Sequence, residues 1–183
     1  MNTGEEFDIV AQKCYEIFSK KAVDYGTAWR ILRTPSLTDQ IYIKAQRIRS
    51  IEQKGVALVH EGIEPEYIGI VNYSIMALIQ LEVGVANTME ELMPAEEATQ
   101  LFQKYIGNAK SLMCNKNHDY DEAWRKMRRS SLTDIILMKL LRIKQIEDND
   151  GNTLISEGLD ANYYDIINYA MFALIKLLES QKN

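Results

Sequence analysis

Aromatic and charged side chains occur in this chain in two sets that have the same spacing. Arginine pairs with phosphate oxygens in a forked geometry, lysine supplies a point charge, and an aromatic ring stacks on a flat base. Such a combination is typical of a site for a phosphorylated ligand that carries a ring system. The candidates in the first set are Asp24, Tyr25, Trp29, Arg30, Arg33, Lys44, Arg47 and Asn72. Those in the second set are Asp119, Tyr120, Trp124, Arg125, Arg128, Lys139, Arg142 and Asn168.

Carboxylates that both sets share are candidates for a magnesium site, because Mg²⁺ prefers oxygen ligands and often shares them with substrate phosphates. They are Asp39, Glu52, Asp134 and Glu147, with Glu61 and Glu157 as a further pair. Asp165 is an additional candidate, and the first set has Gly69 in its place. If Asp165 is a ligand, the first site is degenerate. No Walker loop, GxGxxG, HExxH or CxxC motif occurs, and catalytic residues are not assigned.

The two sets belong to a duplicated unit. The stretch from Lys21 to Ile79 returns from Lys116 to Ile175, first 95 and then 96 positions later, with 28 identical residues in 59. Packing alone would hold apolar residues, whereas here Asp, Arg, Lys, Glu, Trp and Tyr agree as well. Something common to both copies has therefore kept these polar side chains.

Apolar residues at three-and-four spacing predict three long helices and one short helical segment in each copy. The predicted long helices include Glu6 to Lys21, Ser36 to about Lys54, Glu64 to about Val85, Ala95 to about Lys116 and Asp160 to about Ser180. Ser36 and Ser131 are interpreted as helix caps, with Asp39 as the acidic half of a capping box. The fold class is all-α, a helical bundle formed by two tandem repeats related by a pseudo-two-fold axis. We expect residues 1–86 and 95–183 to pack together as one globular unit, joined by the linker 87–94.

Two ionisable residues, Lys44 and Glu52, fall on the apolar face of the second predicted helix. An unpaired charge in a core costs several kcal/mol or shifts its protonation, so both groups need partners or a wet cavity. One interpretation is a buried ion-pair network that only joins helices. The other is a polar pocket between helices into which lysine, arginine and a carboxylate point.

Composition narrows the class of protein. A net charge of −5 in 183 residues argues against a general nucleic-acid binder. The two cysteines, Cys14 and Cys114, do not occupy equivalent positions, so a reducing compartment fits and both are interpreted as small core residues. The acidic start of the chain does not have the pattern of a signal peptide, and the most apolar run contains polar residues. We therefore expect a cytoplasmic protein without a membrane partner.

The run DYGxAWR, followed by SLTDQIxxKxxRIxxIE, EGI and IxNYxxxALI, resembles the nucleotide-modification-associated domain 1 family. The resemblance covers both copies. It implies a link to phage and bacterial nucleotide or DNA-base modification systems, and it supplies no catalytic residues. The chain is also similar to the all-α nucleoside triphosphate pyrophosphohydrolases of the MazG and dimeric dUTPase type, which bind magnesium through EExxE and ExxD carboxylates. This sequence lacks EExxE, and Asp165-x-x-Asn168 stands in for ExxD.

The leading hypothesis is a nucleotide-binding or nucleotide-processing helical protein with a phosphate-binding polar pocket in one or both repeats. One alternative is a magnesium-dependent, MazG-like pyrophosphohydrolase. Another is a non-catalytic interaction or scaffold protein whose shared polar residues form only an internal network. The expected partner is a nucleotide or another phosphorylated small molecule, and both a monomer and a homo-oligomer stay open.

Overall fold

The computed structural model describes residues 1–55, 62–151 and 158–182. Within these ranges the chain forms the helices α1 (Thr3–Tyr25), α2 (Thr34–Lys54), α3 (Ile63–Val83), α4 (Ala95–Tyr120), α5 (Arg129–Asp148) and α6 (Leu159–Ser180). Three short 3₁₀ helices lie at Ala28–Ile31, Met89–Glu91 and Ala123–Lys126. No strand occurs in the described ranges, so the all-α prediction is confirmed. None of the described helices is both long and apolar enough to cross a bilayer.

Each helix of the first repeat packs against its counterpart in the second. α1 contacts α4, α2 contacts α5, and α3 contacts α6. Within a repeat, α2 packs on α3 and α5 packs on α6. The apolar helices α3 and α6 therefore lie in the middle of the bundle, where Tyr67 and Tyr163 are fully buried. A helix that is apolar nearly all round its axis is stable only in such a position.

The repeats exchange the same polar contacts in both directions. The Tyr67 hydroxyl lies 2.6 Å from Thr133 Oγ1, and the Tyr163 hydroxyl lies 2.7 Å from Thr38 Oγ1. Ion pairs follow the same rule, since Lys144 meets Asp39 at 3.3 Å and Arg49 meets Asp134 at 3.7 Å. Several of the polar residues common to both copies thus hold the two repeats together. A pseudo-two-fold relation would produce such reciprocal contacts, and the axis itself stays a prediction.

The predicted helix caps are wrong. α2 begins at Thr34 with Arg33 as its N-cap residue, and no side chain caps it. Pro35 lies in the first turn, where its missing N–H is not needed, and the Ser36 amide already bonds the Arg33 carbonyl. α5 likewise begins at Arg129, which places Ser131 inside its first turn.

The two cysteines have different environments. Cys14 is buried, and burial raises the pKa of its thiol to about 12. Cys114 is exposed on α4, so its prediction as a core residue is wrong. The stretch from Gly55 to Gly62 lies outside the described residues except at its two ends. The candidates Glu61 and Glu157 lie wholly outside them.

Candidate functional site

Each repeat contains a pocket between its first helix, its 3₁₀ helix and its last helix. The first-repeat pocket is a cavity of about 570 Å³ lined by residues of α1, the Ala28–Ile31 segment and α3, together with Lys44 of α2. The second-repeat pocket has a volume of about 400 Å³ and is lined by residues of α4, the Ala123–Lys126 segment and α6. Every residue that lines the second-repeat pocket has its repeat counterpart in the lining of the first. The duplication has therefore preserved a cavity as well as a fold.

An asparagine lies at the equivalent place in both pockets. Asn72 Nδ2 donates to the Cys14 carbonyl at 3.2 Å, and Asn168 Nδ2 donates to the Ala109 carbonyl at 3.1 Å. Because only the amide nitrogen can donate to a carbonyl, these bonds fix the orientation of both side chains. The two Oδ1 atoms are buried and have no hydrogen-bond partner in the described structure. Leaving such an acceptor without a partner costs about 1–3 kcal/mol. Each pocket is thus lined by an asparagine whose carbonyl oxygen is buried and has no partner among the described residues.

The tryptophans form the aromatic walls of the two pockets. Trp124 is buried and stacks on Phe172, with ring centroids 4.3 Å apart and planes inclined by 6°. Its indole Nε1 has no acceptor among the described residues. Trp29 is half-buried and packs in a tilted geometry on Phe18, with centroids 6.3 Å apart. The second-repeat pocket consequently offers both a buried donor and a buried acceptor.

Basic side chains and one carboxylate meet at the first-repeat pocket. Lys44 Nζ lies 3.7 Å from Glu66 Oε2, and Arg47 Nη1 lies 3.1 Å from Glu66 Oε1. Gly69 makes room for the lysine stem, because a Cβ there would lie 2.6 Å from Lys44 Cδ. Lys44 therefore pairs with a carboxylate of α3 and also lines the pocket, so both interpretations of its place on the apolar face stay open.

The second-repeat pocket has its carboxylate at a different helical position. Asp165 bonds Lys116 at 2.9 Å and Lys139 at 3.0 Å. It occupies the position of Gly69, one turn after the position of Glu66. Each repeat therefore has a cluster of two cations and one carboxylate. Lys44 and Lys139 are repeat counterparts, whereas the carboxylates are at different positions.

The predicted ligand contacts Arg30 and Arg125 do not line the pockets. Arg30 is buried and donates to Gln80 and to the Gly84 carbonyl. Gln80 in turn donates to the Arg30 carbonyl at 2.7 Å, and in the second repeat Lys176 donates to the Arg125 carbonyl at the same distance. These bonds tie the 3₁₀ helix to the end of α3 or α6.

The guanidinium of Arg125 has other partners than that of Arg30. Gln80 accepts a hydrogen bond from Arg30, whereas Lys176, its counterpart in the second repeat, has no acceptor to offer Arg125. The Arg125 guanidinium forms ion pairs with Glu6 at 2.5 Å, Glu122 at 3.2 Å and Glu179 at 2.8 Å. It also lies 4.6 Å from the centre of the Trp124 ring. This network joins α1, the second-repeat 3₁₀ helix and α6.

The other predicted ligand contacts divide into two groups. Tyr25, Tyr120, Lys44, Asn72 and Asn168 line the pockets with the tryptophans, while Arg47 and Lys139 reach them through a carboxylate. The side chains of Asp24, Asp119, Arg33, Arg128 and Arg142 are exposed and lie outside both linings.

The five magnesium candidates that the structure describes are dispersed. Asp39, Asp134 and Asp165 pair with the cations given above, Glu52 pairs with Arg129 at 3.8 Å, and Glu147 accepts from Thr38 at 2.8 Å. Burial raises the pKa of both Glu52 and Glu147. In the part of the chain that the structure describes, no three His, Cys, Asp or Glu side chains lie together where they could hold a metal. Magnesium binding stays a prediction.

Several pocket residues were not predicted. They are Lys21 and Lys116, Tyr73 and Tyr169, Met76 and Phe172, and Glu66. Two signals could have found some of them, because Lys21 and Lys116 are the first identity of the repeat and the tyrosines follow the shared asparagines. Glu66 and Asp165 gave no such signal, since neither has an acidic counterpart.

Comparison with known proteins agrees with the duplication of the chain. No curated protein and no solved structure matches the chain. The model of one protein family matches it twice, at residues 21–81 and 116–177, and each match contains the 3₁₀ helix and the asparagine of one pocket. The two matches cover most of the chain and confirm the resemblance noted in the sequence. The chain belongs to the family described as nucleotide modification associated domain 1.

Proposed function

We propose that this chain binds nucleotides, with one site in the pocket of each repeat. The observation that carries the proposal is the pair of matched pockets, each with a buried asparagine carbonyl oxygen that has no partner in the described structure. The amino groups of adenine, guanine and cytosine, and the ring N–H groups of guanine, thymine and uracil, are donors from which such an oxygen can accept a hydrogen bond. A base that donates here would relieve a penalty of about 1–3 kcal/mol in each pocket.

The remaining pocket residues suit the other parts of a nucleotide. Tyr25 and Tyr120 are exposed at the pocket, where a ring can stack on a base. Lys21 and Lys116 supply positive charge for phosphate oxygens. Cavities of 570 and 400 Å³ also fall in the range of about 300–1,000 Å³ that is usual for small-molecule sites.

The family provides independent support, because its description associates it with nucleotide modification. Binding is the whole of the proposed function, and no residue is assigned a step in a reaction. The polar residues that join the repeats, such as Thr38 and Thr133, belong to the internal network and take no part in the proposed site.

Isothermal titration of the full chain with nucleoside mono- and triphosphates of each base tests the proposal. We expect saturable binding by at least one base. The variant Tyr25→Ala/Tyr120→Ala should weaken that binding about tenfold or more, because stacking on an aromatic ring contributes about 1–3 kcal/mol per base. A matched control is Ile43→Ala/Met138→Ala, which also changes a repeat-related pair of exposed apolar residues and lies outside both pockets.

The control should bind as the unchanged chain does. Absence of heat with every nucleotide, or full affinity in the tyrosine variant, would contradict the proposal. Both tyrosines are exposed, so we expect the variant to keep its melting temperature.

A further inference from the structure

The two pockets differ in how their lysines are paired, and we propose that they take nucleotides of different phosphorylation. This inference rests on the nucleotide-binding function proposed above. The first-repeat pocket takes the more highly charged ligand, a nucleoside di- or triphosphate. The second-repeat pocket takes a nucleoside or a nucleoside monophosphate.

The first-repeat pocket has a lysine that no described carboxylate engages. Lys21 and Lys44 line it, and Glu66, which also lines it, pairs with Lys44 and Arg47. Lys21 forms no ion pair with any residue in the described part of the chain. Among the described residues, no carboxylate therefore competes with a phosphate oxygen for its ammonium.

The lysines of the second-repeat pocket are already engaged. Asp165 bonds Lys116 at 2.9 Å and Lys139 at 3.0 Å, so the counterpart of Lys21 has a carboxylate partner. Asp165 lines this pocket as Glu66 lines the first, but among the described residues no lysine without an ion pair lies beside it to offset its repulsion of a phosphate. Like charges a few Å apart repel, which disfavours a ligand with several phosphates.

The difference has a single origin in the sequence. Gly69 leaves space on α3 that the Lys44 stem fills, whereas Asp165 at the same position brings a charge to α6. The first-repeat pocket is also the larger, at 570 against 400 Å³. The smaller pocket instead has the stacked Trp124–Phe172 wall and the indole N–H, which are contacts for an uncharged ring.

Titration of single-pocket variants tests the inference. Tyr120→Ala leaves the first-repeat pocket intact, and Tyr25→Ala leaves the second. Each is titrated, without magnesium, with the nucleoside, the monophosphate and the triphosphate of the base that binds best in the panel above. We expect affinity to rise about tenfold or more from nucleoside to triphosphate in the Tyr120→Ala chain, and less than about threefold in the Tyr25→Ala chain.

Two charge changes should then alter these preferences. Adding Asp165→Asn to the Tyr25→Ala chain removes the carboxylate between the lysines and should raise triphosphate affinity about five- to tenfold. Adding Lys21→Gln to the Tyr120→Ala chain should lower triphosphate affinity by a similar factor and leave nucleoside affinity unchanged. Lys126→Gln is the matched control, because Lys126 is exposed and lies outside both pockets.

The outcomes separate the two proposals. If nucleotides bind both pockets with equal dependence on phosphate number, the inference is overturned while nucleotide binding stands. If no nucleotide binds, both fail. If Asp165→Asn does not fold, the exposed Lys21→Gln variant decides, and unchanged triphosphate affinity in that chain overturns the inference.

Discussion

Asn72 and Asn168 each use only the amide nitrogen for the hydrogen bond that the structure describes inside the protein. The amide nitrogen holds a backbone carbonyl of the neighbouring helix, which fixes the side chain, and the carbonyl oxygen has no described partner. The same arrangement in both repeats is the observation on which the proposed nucleotide sites rest.

Glu147 lies beside the hydroxyl groups that join the repeats, and burial raises its pKa above the usual value of 4.5. The native state therefore binds the proton more tightly than the unfolded state does. The free energy of unfolding should fall as pH rises through the interval between the unfolded and the folded pKa. Glu147→Gln has no charge to bury, so it should raise the melting temperature at pH 7–8 by about 2–4 °C and have little effect near pH 4.

Thermal melts across this pH range check the prediction. Glu90→Gln is a suitable control because Glu90 is exposed in the linker between the repeats. Its melting temperature should follow the unchanged chain at every pH. A Glu147→Gln chain that is less stable at pH 8 than the unchanged chain would mean that the ionised carboxylate is a net stabilising partner of Thr38.

At the scale of elements, α2 and α5 meet α6 and α3 through two reciprocal tyrosine–threonine hydrogen bonds. Thr133→Val removes the threonine partner of the fully buried Tyr67 hydroxyl, and we expect it to lower the free energy of unfolding by about 1–3 kcal/mol. Adding Tyr67→Phe removes that hydroxyl as well. The double variant should therefore be more stable than the sum of the two single changes predicts.

Urea unfolding of the four chains in this cycle measures the coupling. Simple additivity would show that the hydroxyl groups do not depend on each other. The equivalent cycle at Thr38 and Tyr163 should differ, because Thr38 also donates to Glu147.

Periodicity predicted the helices well because amphipathic spacing is a local property. Ala95 was placed correctly as the start of α4, and the end of α2 at Lys54 was correct. The predicted start of α2 is wrong because Ser36 and Asp39, three residues apart, have the pattern of a capping box. Pro35 is compatible with the first turn of a helix, so α2 begins earlier, at Thr34.

The pockets were only partly predictable for a different reason. Repeat comparison selects residues that agree, and it found Trp29, Lys44 and Asn72. It also selected Arg30, whose partner Gln80 lies 50 residues away and is replaced by lysine in the second repeat. A sequence pattern shows that a side chain is kept, whereas which neighbour it contacts depends on how distant helices pack.

At the scale of the whole molecule, each helix of one repeat packs on a similar helix of the other. A fragment of residues 1–94 would expose the surfaces of α1, α2 and α3 that contact the second repeat. Because the repeats share 28 of 59 residues, a second copy of the fragment can replace the missing partner. We expect this fragment to sediment as a homodimer in analytical ultracentrifugation and to unfold at lower temperature when diluted.

A monomeric fragment whose sharp melting transition does not change with concentration would contradict this expectation. It would show that one repeat has enough core of its own to fold. Adding residues 95–183 to the fragment provides the control, and a heterodimer should form.

Both cavities are lined only from within their own half of the chain. In a site formed by residues of both repeats, a substitution in one repeat would also change the part of the site that the other repeat contributes. Here a substitution in one pocket can change the ligand that this pocket selects and leave the other pocket unchanged. Duplication therefore allows the two equivalent positions, Gly69 and Asp165, to carry different residues while the helical bundle that the repeats share is kept.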